Sequence, residues 1–300
     1  MAGRAAWAAS PGSHPRGRGG AGQADKQRRH FLPSGGGDIV LSEEITAILL
    51  LSALDEEISG FVSALGDRSD EQWRALHIWT GTLEQRRVVV AKTGVGKSMA
   101  ALVAQALVDR YRPEAVFFSG IAGALDPALQ IGDLLVADDC LQYDLDARPL
   151  GFLLGEIPHS GYRVLPSDAT LLSCAKEFRP RGFRVVCGRV LTGDRFLTAA
   201  DKASSRHLTE ELGGSAVDME GASAGLVAAF NGLPFILVRA ISDRADGTSP
   251  RSFARFLHEA SLRTSQLIAF LLARWEGAAQ AGDPPGSIES PVTPPPGAIG

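Results

Sequence analysis

Short apolar runs alternate with longer segments of helical periodicity across residues 45–275. The runs are rich in β-branched residues, which is typical of strands. They predict strands at residues 47–51, 77–82, 87–92, 115–119, 133–140, 184–192, 216–219 and 235–241. The periodic segments predict helices at residues 55–65, 96–111, 169–177, 221–231 and 252–274. This alternation predicts an α/β fold, a single domain whose central mixed sheet is flanked by helices.

Two of these elements predict how they are buried. The run Phe235-Ile236-Leu237-Val238 is apolar at every position, as expected of a strand covered on both faces. In the helix at 96–111, apolar residues recur at three- and four-residue spacing and predict one face that packs on the sheet. These residues are Met99, Leu102, Val103, Ala106 and Leu107.

Both ends of the chain differ in composition from the middle. Residues 1–37 hold nine glycines, three prolines and six basic residues against one acidic residue, and residues 277–300 hold six prolines. Such segments bury too little apolar surface to offset the entropy lost on ordering. We therefore expect a disordered Gly/Arg-rich arm at 1–44, a folded domain at 45–275 and a disordered Pro-rich tail at 276–300.

Charge and cysteine content exclude several classes of protein. The net charge is −4, which gives no bulk positive field for nucleic acid. No apolar run reaches the ~18 residues of a membrane span, and the N-terminus lacks the apolar core of a secretory signal. Cys140, Cys174 and Cys187 lie far apart and form no C-x-x-C pair. We expect a cytoplasmic protein without a bound metal or cofactor.

The segment Lys92-Thr93-Gly94-Val95-Gly96-Lys97-Ser98 resembles a phosphate-binding loop because it lies between a strand and a helix. A Walker A loop needs a glycine five residues before the final Gly-Lys pair, and that position is Ala91. The loop is too short to surround a phosphate. A tight glycine turn is the better interpretation, and an NTPase is disfavoured.

Carboxylates follow three of the predicted strands, at residues 55–57, at residues 218–220 and at Asp243. Acids at these places serve as helix-start residues or caps in many proteins. The carboxyl ends of strands in an open α/β sheet also face the ligand crevice. The small-residue loop at 120–124 follows another strand and would let a ligand approach the backbone. Each motif alone leaves both interpretations open.

Taken together and in order, six motifs resemble the nucleoside phosphorylase/nucleosidase superfamily. They stand at residues 53–57, 93–97, 120–123, 192–196, 217–220 and 239–243. Within the superfamily the chain is most similar to the bacterial 5′-methylthioadenosine/S-adenosylhomocysteine nucleosidases. The resemblance covers about residues 45–275 and includes neither terminal segment.

The resemblance implies hydrolysis of the N-ribosidic bond, with release of adenine and a thioribose. Asp243 matches the catalytic acid that protonates the leaving purine, and Ser242 would orient it. Glu57 matches the acid that positions and deprotonates the attacking water. No cofactor takes part.

The substrate contacts follow from the same resemblance. Glu220 would accept hydrogen bonds from the ribose hydroxyls, with Met219 packed under the sugar. Phe196 would stack on the purine while the backbone of Leu197 contacts its edge. Arg239 would lie near the water and the ribose.

The resemblance also implies a homodimer, because a second subunit completes the pocket for the 5′ substituent. The matching pocket residues of the same chain are Leu54, Val95 and Phe253, with the small residues Ala122 and Gly123 beside the ligand. The matching residues from the second subunit are Leu150 and Pro158.

The sequence departs from the family pattern at four places. Ile121 replaces a small polar residue, Asp218 replaces a frequent glutamate, Tyr143 replaces a common histidine and Leu150 replaces a phenylalanine. The last change leaves the size of the accepted 5′ group open, and futalosine hydrolase, a relative with the same chemistry, stays an alternative.

Two further functions are weighed against nucleoside hydrolysis. Phosphorolysis needs cationic side chains around phosphate, whereas residues 55–57 are acidic and the loop at 120–124 contains no arginine. A nucleoside-binding sensor without catalysis would be expected to lose the acid or the ribose anchor, and Glu57, Glu220 and Asp243 are all retained. Hydrolysis is therefore favoured.

Overall fold

The computed structural model describes residues 47–243 and 253–277. The predicted arm, and the tail from residue 278 onward, lie outside the described residues. The strands are β1 Ile48–Ser52, β2 Gly66–Trp73, β3 Leu76–Leu83, β4 Arg86–Lys92, β5 Ala115–Ala124, β6 Leu134–Gln142, β7 Leu165–Pro166, β8 Val185–Thr192, β9 Gly214–Asp218 and β10 Phe235–Asp243. The helices are α1 Asp55–Ala64, α2 Lys97–Tyr111, α3 Ala169–Ala175, α4 Ala199–Ser204, α5 His207–Glu210, α6 Gly221–Phe230 and α7 Phe253–Arg274, with a 3₁₀ turn at Arg148–Leu150.

The ten strands form one mixed sheet in which β1 lies between β4 and β5, parallel to both. β5 also pairs in parallel with β10, while β10 pairs antiparallel with β6. Because β6, β8 and β9 lead back to β5, the β5–β10 pairing closes five strands into a ring. The predicted α/β fold with a central mixed sheet is confirmed.

This topology places three chain segments at one edge of the sheet. β1, β5 and β10 are adjacent and parallel, so their carboxyl ends meet. The segments that follow or end these strands are residues 53–57, 120–124 and 242–243. They are three of the segments in which the sequence motifs occur, and the sheet geometry alone brings them together.

Alternation along the strands divides the core between the two faces of the sheet. Leu49 and Leu51 contact one core cluster with α2 and α6, whereas Ile48 and Leu50 contact the other with α1 and α7. β10 is buried at every position, which confirms the prediction from its continuous apolar run. In the described part of the chain, no helix is long and apolar enough to cross a membrane.

The predicted apolar face of α2 is only partly right. Val103 and Leu107 are buried, but Met99 is 42% and Leu102 64% exposed. The inward face instead includes alanines, at positions 100 and 104. α2 is rich in Ala, Leu and Val all round, so residue spacing could not select which stripe faces the sheet.

β2 could not be predicted from the sequence, because seven of its eight residues, GDRSDEQ, carry no apolar side chain and most of its residues are exposed. It is an edge strand that pairs antiparallel with β3 and with no other described strand. The short elements β7, α4 and α5 were also not predicted. Each spans too few residues to show a period.

Phe117 and Phe230 form a matched pair for testing the core. Phe117 is fully buried in β5 and packs against Trp275, whereas Phe230, at the end of α6, is 72% exposed. Phe117→Ala is expected to lower the free energy of unfolding by about 3–5 kcal/mol, because it leaves a cavity. Phe230→Ala is expected to change it by less than about 0.5 kcal/mol. Urea denaturation measures both, and equal losses would contradict the described core.

Candidate active site

A cavity of about 360 Å³ opens at the carboxyl edge formed by β1, β5 and β10. Most of the predicted site residues line it. They are Leu54, Glu57, Val95, Ala122, Gly123, Phe196, Leu197, Met219, Glu220, Ser242 and Asp243.

Glu57 is the one acid of the group at 55–57 that faces the cavity. It lies in the first turn of α1 and is 4% exposed, whereas Asp55 pairs with Lys92 at the surface. Its Oε2 accepts hydrogen bonds from the amides of Ala53 and Leu54, each at 2.9 Å, and its Oε1 accepts one from the amide of Ile121 at 3.0 Å. Burial raises the pKa of Glu57, although Arg239 and these amides oppose the shift.

Gly120 on β5 makes room for two charged groups. A Cβ at this position would collide with the Arg239 guanidinium and would lie 2.8 Å from Oε1 of Glu57. The guanidinium and the carboxylate therefore share the space above Gly120. This close packing requires a residue without a side chain at position 120, the first position of the small-residue loop at 120–124.

Arg239 is the most buried charge of the described chain, with no exposed surface, in the middle of β10. Its Nε donates to Oδ2 of Asp218 at 2.8 Å, and its Nη2 lies 2.6 Å from the same oxygen. Its Nη2 also lies 3.6 Å from Oε2 of Glu220, and the guanidinium carbon is 4.8 Å from the Phe118 ring centroid. Arg239 thus lies behind the cavity wall and joins the carboxylates that face the cavity.

Asp218 ends β9 and holds this arginine in place. Besides Arg239, its carboxylate accepts hydrogen bonds from the Thr192 hydroxyl at 2.5 Å and from the Gly221 amide at 3.0 Å. The Thr192 hydroxyl in turn accepts from the amide of Ala222 at 2.8 Å. Together these contacts attach the start of α6 to β8 and, through Asp218, to β10. Asp218, which replaces a frequent glutamate of the family pattern, still pairs with Arg239.

Glu220 immediately precedes α6 and is 5% exposed. Its Oε1 accepts a hydrogen bond from the amide of Gly96 at 3.0 Å. The pKa of Glu220 is raised to about 7, chiefly by burial and also by the nearby Asp218 and Glu57 carboxylates, while Arg239 and the Gly96 amide oppose the shift. The carboxylate is therefore poised between its two protonation states near neutral pH.

Asp243 ends β10 and is 8% exposed, beside the core as its sequence position predicted. The Ser242 hydroxyl donates to its Oδ2 at 2.7 Å and lies 3.3 Å from the carbonyl oxygen of Ala122. Ser242 therefore restricts the orientation of the Asp243 carboxyl at the cavity wall. Asp243 pairs with Gly123 on β5, after an irregularity in the register that turns the last residues of β10.

The loop after β8 forms another wall of the cavity. Phe196 is 63% exposed and Leu197 is 5% exposed. Asp201 accepts hydrogen bonds from the Thr198 amide and hydroxyl, at 2.9 and 2.7 Å, and forms an ion pair with Arg195. The loop thus offers an accessible aromatic ring at the opening of the cavity.

The turn that resembles a phosphate-binding loop is occupied by carboxylates. Gly94 and Gly96 have positive φ angles of 82° and 97°. The Gly96 amide donates to Glu220 and the Lys97 amide donates to Asp194 at 2.7 Å. Anionic side chains of the protein therefore take the places that a phosphate would need, which supports the prediction of a structural turn.

Some of the predicted site residues do not line the cavity or are largely exposed to solvent. Leu150 is 76% exposed and Pro158 is half-buried, and neither lines the cavity of its own chain. Val95 lines the cavity but is 50% exposed. The side chain of Phe253, at the start of α7, lies outside the described residues.

Sequence reasoning missed several lining residues, which are Ala53, Ile121, Arg195, Val217 and Asp218. Asp218 carries the largest structural role among them. Its signal was its position two residues before Glu220, at the end of a strand, but only the fold shows that it faces Arg239.

The comparison with known proteins establishes the family. The profile of the Phosphorylase superfamily matches residues 47–273, and the chain belongs to this family. The matched range contains every element of the described sheet and the cavity at its edge.

Within this family, the chain is similar to enzymes of two kinds. The 5′-methylthioadenosine/S-adenosylhomocysteine nucleosidase of Staphylococcus haemolyticus is 28% identical over 225 residues, 74% of this chain and 97% of the relative. The S. pneumoniae enzyme of that name, solved with a transition-state inhibitor, is 27% identical with a TM-score of 0.71, covering 76% and 99% of the two chains. Futalosine hydrolase of Helicobacter pylori is 30% identical with a TM-score of 0.71, covering 77% and 99%.

The raised pKa of Glu220 predicts a pH dependence of stability. The folded chain binds this proton more tightly than the unfolded chain, so stability falls as pH rises from about 4.5 to about 7. Residue 220 of the Glu220→Gln variant cannot ionise, so the variant lacks this pH-dependent contribution to stability. The Tm of the ligand-free wild type should therefore decrease relative to that of Glu220→Gln over this range. Calorimetric scans of both proteins test this, and parallel curves would contradict the raised pKa.

Proposed function

We propose that the chain hydrolyses the N-ribosidic bond of 5′-methylthioadenosine and S-adenosylhomocysteine to adenine and the corresponding thioribose. It is an N-glycosyl hydrolase, as its nucleosidase relatives are. The observation that carries the proposal is the pair of buried carboxyls, Glu57 after β1 and Asp243 at the end of β10, which face one cavity from either side of β5.

Asp243 acts on the leaving group. Adenine is a poor leaving group until a ring nitrogen is protonated, because the C1′–N9 bonding electrons must move onto the base. We assign proton donation to the Asp243 carboxyl, whose Oδ2 is held by Ser242. The C1′–N9 bond then breaks, and positive charge develops on the ribose.

Glu57 acts on the nucleophile. Three backbone amides hold its two oxygens, so the carboxylate cannot turn away from the cavity wall. Its raised pKa suits a general base that must take a proton near neutral pH. Water attacks C1′ and gives a proton to Glu57. The adenine has by then already taken a proton from Asp243. The two carboxyls thus have opposite roles, as in inverting glycosidases.

Electrostatics favour water over phosphate at this site. Among the described residues at the cavity, Arg239 is the one buried cation. The carboxyls of Asp218, Glu220 and Glu57 all lie near it. A phosphate dianion would enter a region where carboxylates outnumber the guanidinium. Phosphorolysis is therefore disfavoured, and hydrolysis is the reaction we assign.

The remaining lining residues suit a purine nucleoside. Glu220 offers Oε2 to the ribose hydroxyls while the Gly96 amide holds its Oε1. Met219 would pack under the sugar, Phe196 would stack on the purine, and Leu197 would supply backbone contacts to its edge.

We also propose that the enzyme acts as a homodimer in which Leu150 and Pro158 complete the 5′ pocket of the neighbouring subunit. The support is that Leu150 is exposed and remote from its own cavity, and that Met99 and Leu102 leave an apolar stripe of α2 uncovered. The mass of the purified chain in solution tests this proposal.

The primary test is purine release by the purified protein with and without phosphate. Release of adenine from 5′-methylthioadenosine that does not depend on phosphate supports the proposal. Futalosine serves as the competing substrate, because the chain is also similar to a futalosine hydrolase. Hypoxanthine release from futalosine, without adenine release, would assign the same chemistry to that other substrate.

Asp243→Asn tests the general acid. The amide keeps the shape of the side chain but has no proton to transfer, so turnover should fall by about a hundredfold or more. The dissociation constant of adenine should change by less than about threefold. Steady-state kinetics and calorimetry give both values. Turnover within about threefold of wild type would remove Asp243 from this role.

Glu57→Gln tests water activation, with Glu56→Gln as its matched control on the exposed side of the same helical turn. Glu57→Gln should lower kcat by about a hundredfold, because the amide cannot accept the proton from water. Glu56→Gln should stay within about twofold of wild type. A Glu57→Gln variant that gained phosphate-dependent activity would show that this acid chiefly selects the nucleophile.

A further inference from the structure

The segment at 193–198, which carries Phe196 and Leu197, contains neither helix nor strand. Its conformation therefore depends on contacts with residues from elsewhere in the chain. Two such contacts lie at its start: the Gly193 amide donates to the carbonyl oxygen of Asp218 at 3.1 Å, and the Asp194 amide donates to Oδ2 of Asp144, which follows β6, at 2.9 Å. The ends of β9 and β6 thus fix where the purine-facing segment begins.

Lys97, the first residue of α2, connects Asp144 and Asp194. Its Nζ lies 2.5 Å from Oδ1 of Asp144 and 3.4 Å from the Gln142 side-chain oxygen. Its backbone amide donates to Oδ1 of Asp194 at 2.7 Å. Lys97, Asp144 and Asp194 therefore form a closed set of three contacts, the Lys97 ring, which joins β6, α2 and the segment after β8.

The Lys97 ring reaches both halves of the nucleoside site through adjacent residues. Gly96, next to Lys97, donates its amide to Glu220, the assigned ribose anchor. Phe196, the assigned purine contact, lies two residues after Asp194. The Lys97 and Asp144 side chains are 18% and 28% exposed, so water screens their attraction less than that of a fully exposed pair.

We propose that Asp144 is a positioning residue for nucleoside binding. Through the Lys97 ammonium and the Asp194 amide, it fixes the purine-contacting segment relative to the helix start that orients Glu220. This inference rests on the proposed nucleosidase function and adds a residue to it. Asp144 is outside the cavity lining, so it acts through the residues that it holds.

Asp144→Asn tests the inference, because the amide keeps the shape of the side chain and loses the charge that binds Lys97. KM for 5′-methylthioadenosine and the dissociation constant of adenine should both rise by about tenfold, while kcat stays within about threefold. The rising and falling sides of the pH profile of kcat should stay where they are in the wild type, since Asp243 and Glu57 are unchanged. Steady-state kinetics and adenine calorimetry supply these values.

Two further variants separate positioning from general loss of stability. Asp138→Asn is the matched control: Asp138 lies on β6, the strand that Asp144 follows, and pairs with Lys176 at 3.8 Å, away from the cavity, so KM should be unchanged. Lys97→Met should raise KM as Asp144→Asn does, and the double variant should raise it by much less than the product of the two effects.

The outcomes distinguish this inference from the function on which it rests. A wild type that neither releases nor binds purine would overturn the proposed function and the role of Asp144 together. An active wild type with unchanged KM in Asp144→Asn would overturn the positioning role alone, even if the Tm of the variant fell. A tenfold rise confined to the Lys97 and Asp144 variants would establish it.

Discussion

The burial of Arg239 is the constraint on which the rest of this site depends. A guanidinium without exposed surface requires anionic partners, because the cost of leaving an ion unpaired in the protein interior is several kcal/mol. Asp218 meets that requirement directly through Nε and Nη2. Thr192 and the Gly221 amide then complete the hydrogen bonds of Asp218, which locks the start of α6 to the sheet. Glu220, which immediately precedes α6, is placed at the cavity wall as a consequence.

The same cation also determines how protons are held around it. Three carboxyls approach one guanidinium, so the buried region carries an excess of acidic groups, which favours the protonated form of a carboxyl. The pKa values of Glu57 and Glu220 are raised by burial, in line with this excess. A region with this charge balance suits a neutral nucleophile.

Much of the site could be predicted from sequence because its chemistry is concentrated in short motifs at strand ends. Asp243 and Ser242 follow a continuous apolar strand, and Glu57 follows another, so their positions could be placed before the fold was known. The exposed faces were harder to predict. Met99 and Leu102 have the same spacing as buried residues, and β2 has no apolar pattern because it is an edge strand with mostly exposed residues.

The sequence by itself determined the α/β alternation, the carboxyls at the strand ends and the family to which they point, because local hydrophobic period and motif order are properties of neighbouring residues. The tertiary structure alone showed that three backbone amides hold Glu57 at the cavity, and that Asp218 pairs with Arg239 across 21 positions. It also decided that Lys97 is held by Asp144 and not open to a phosphate. These pairings depend on which strands are adjacent, and adjacency is set by burial over the whole sheet.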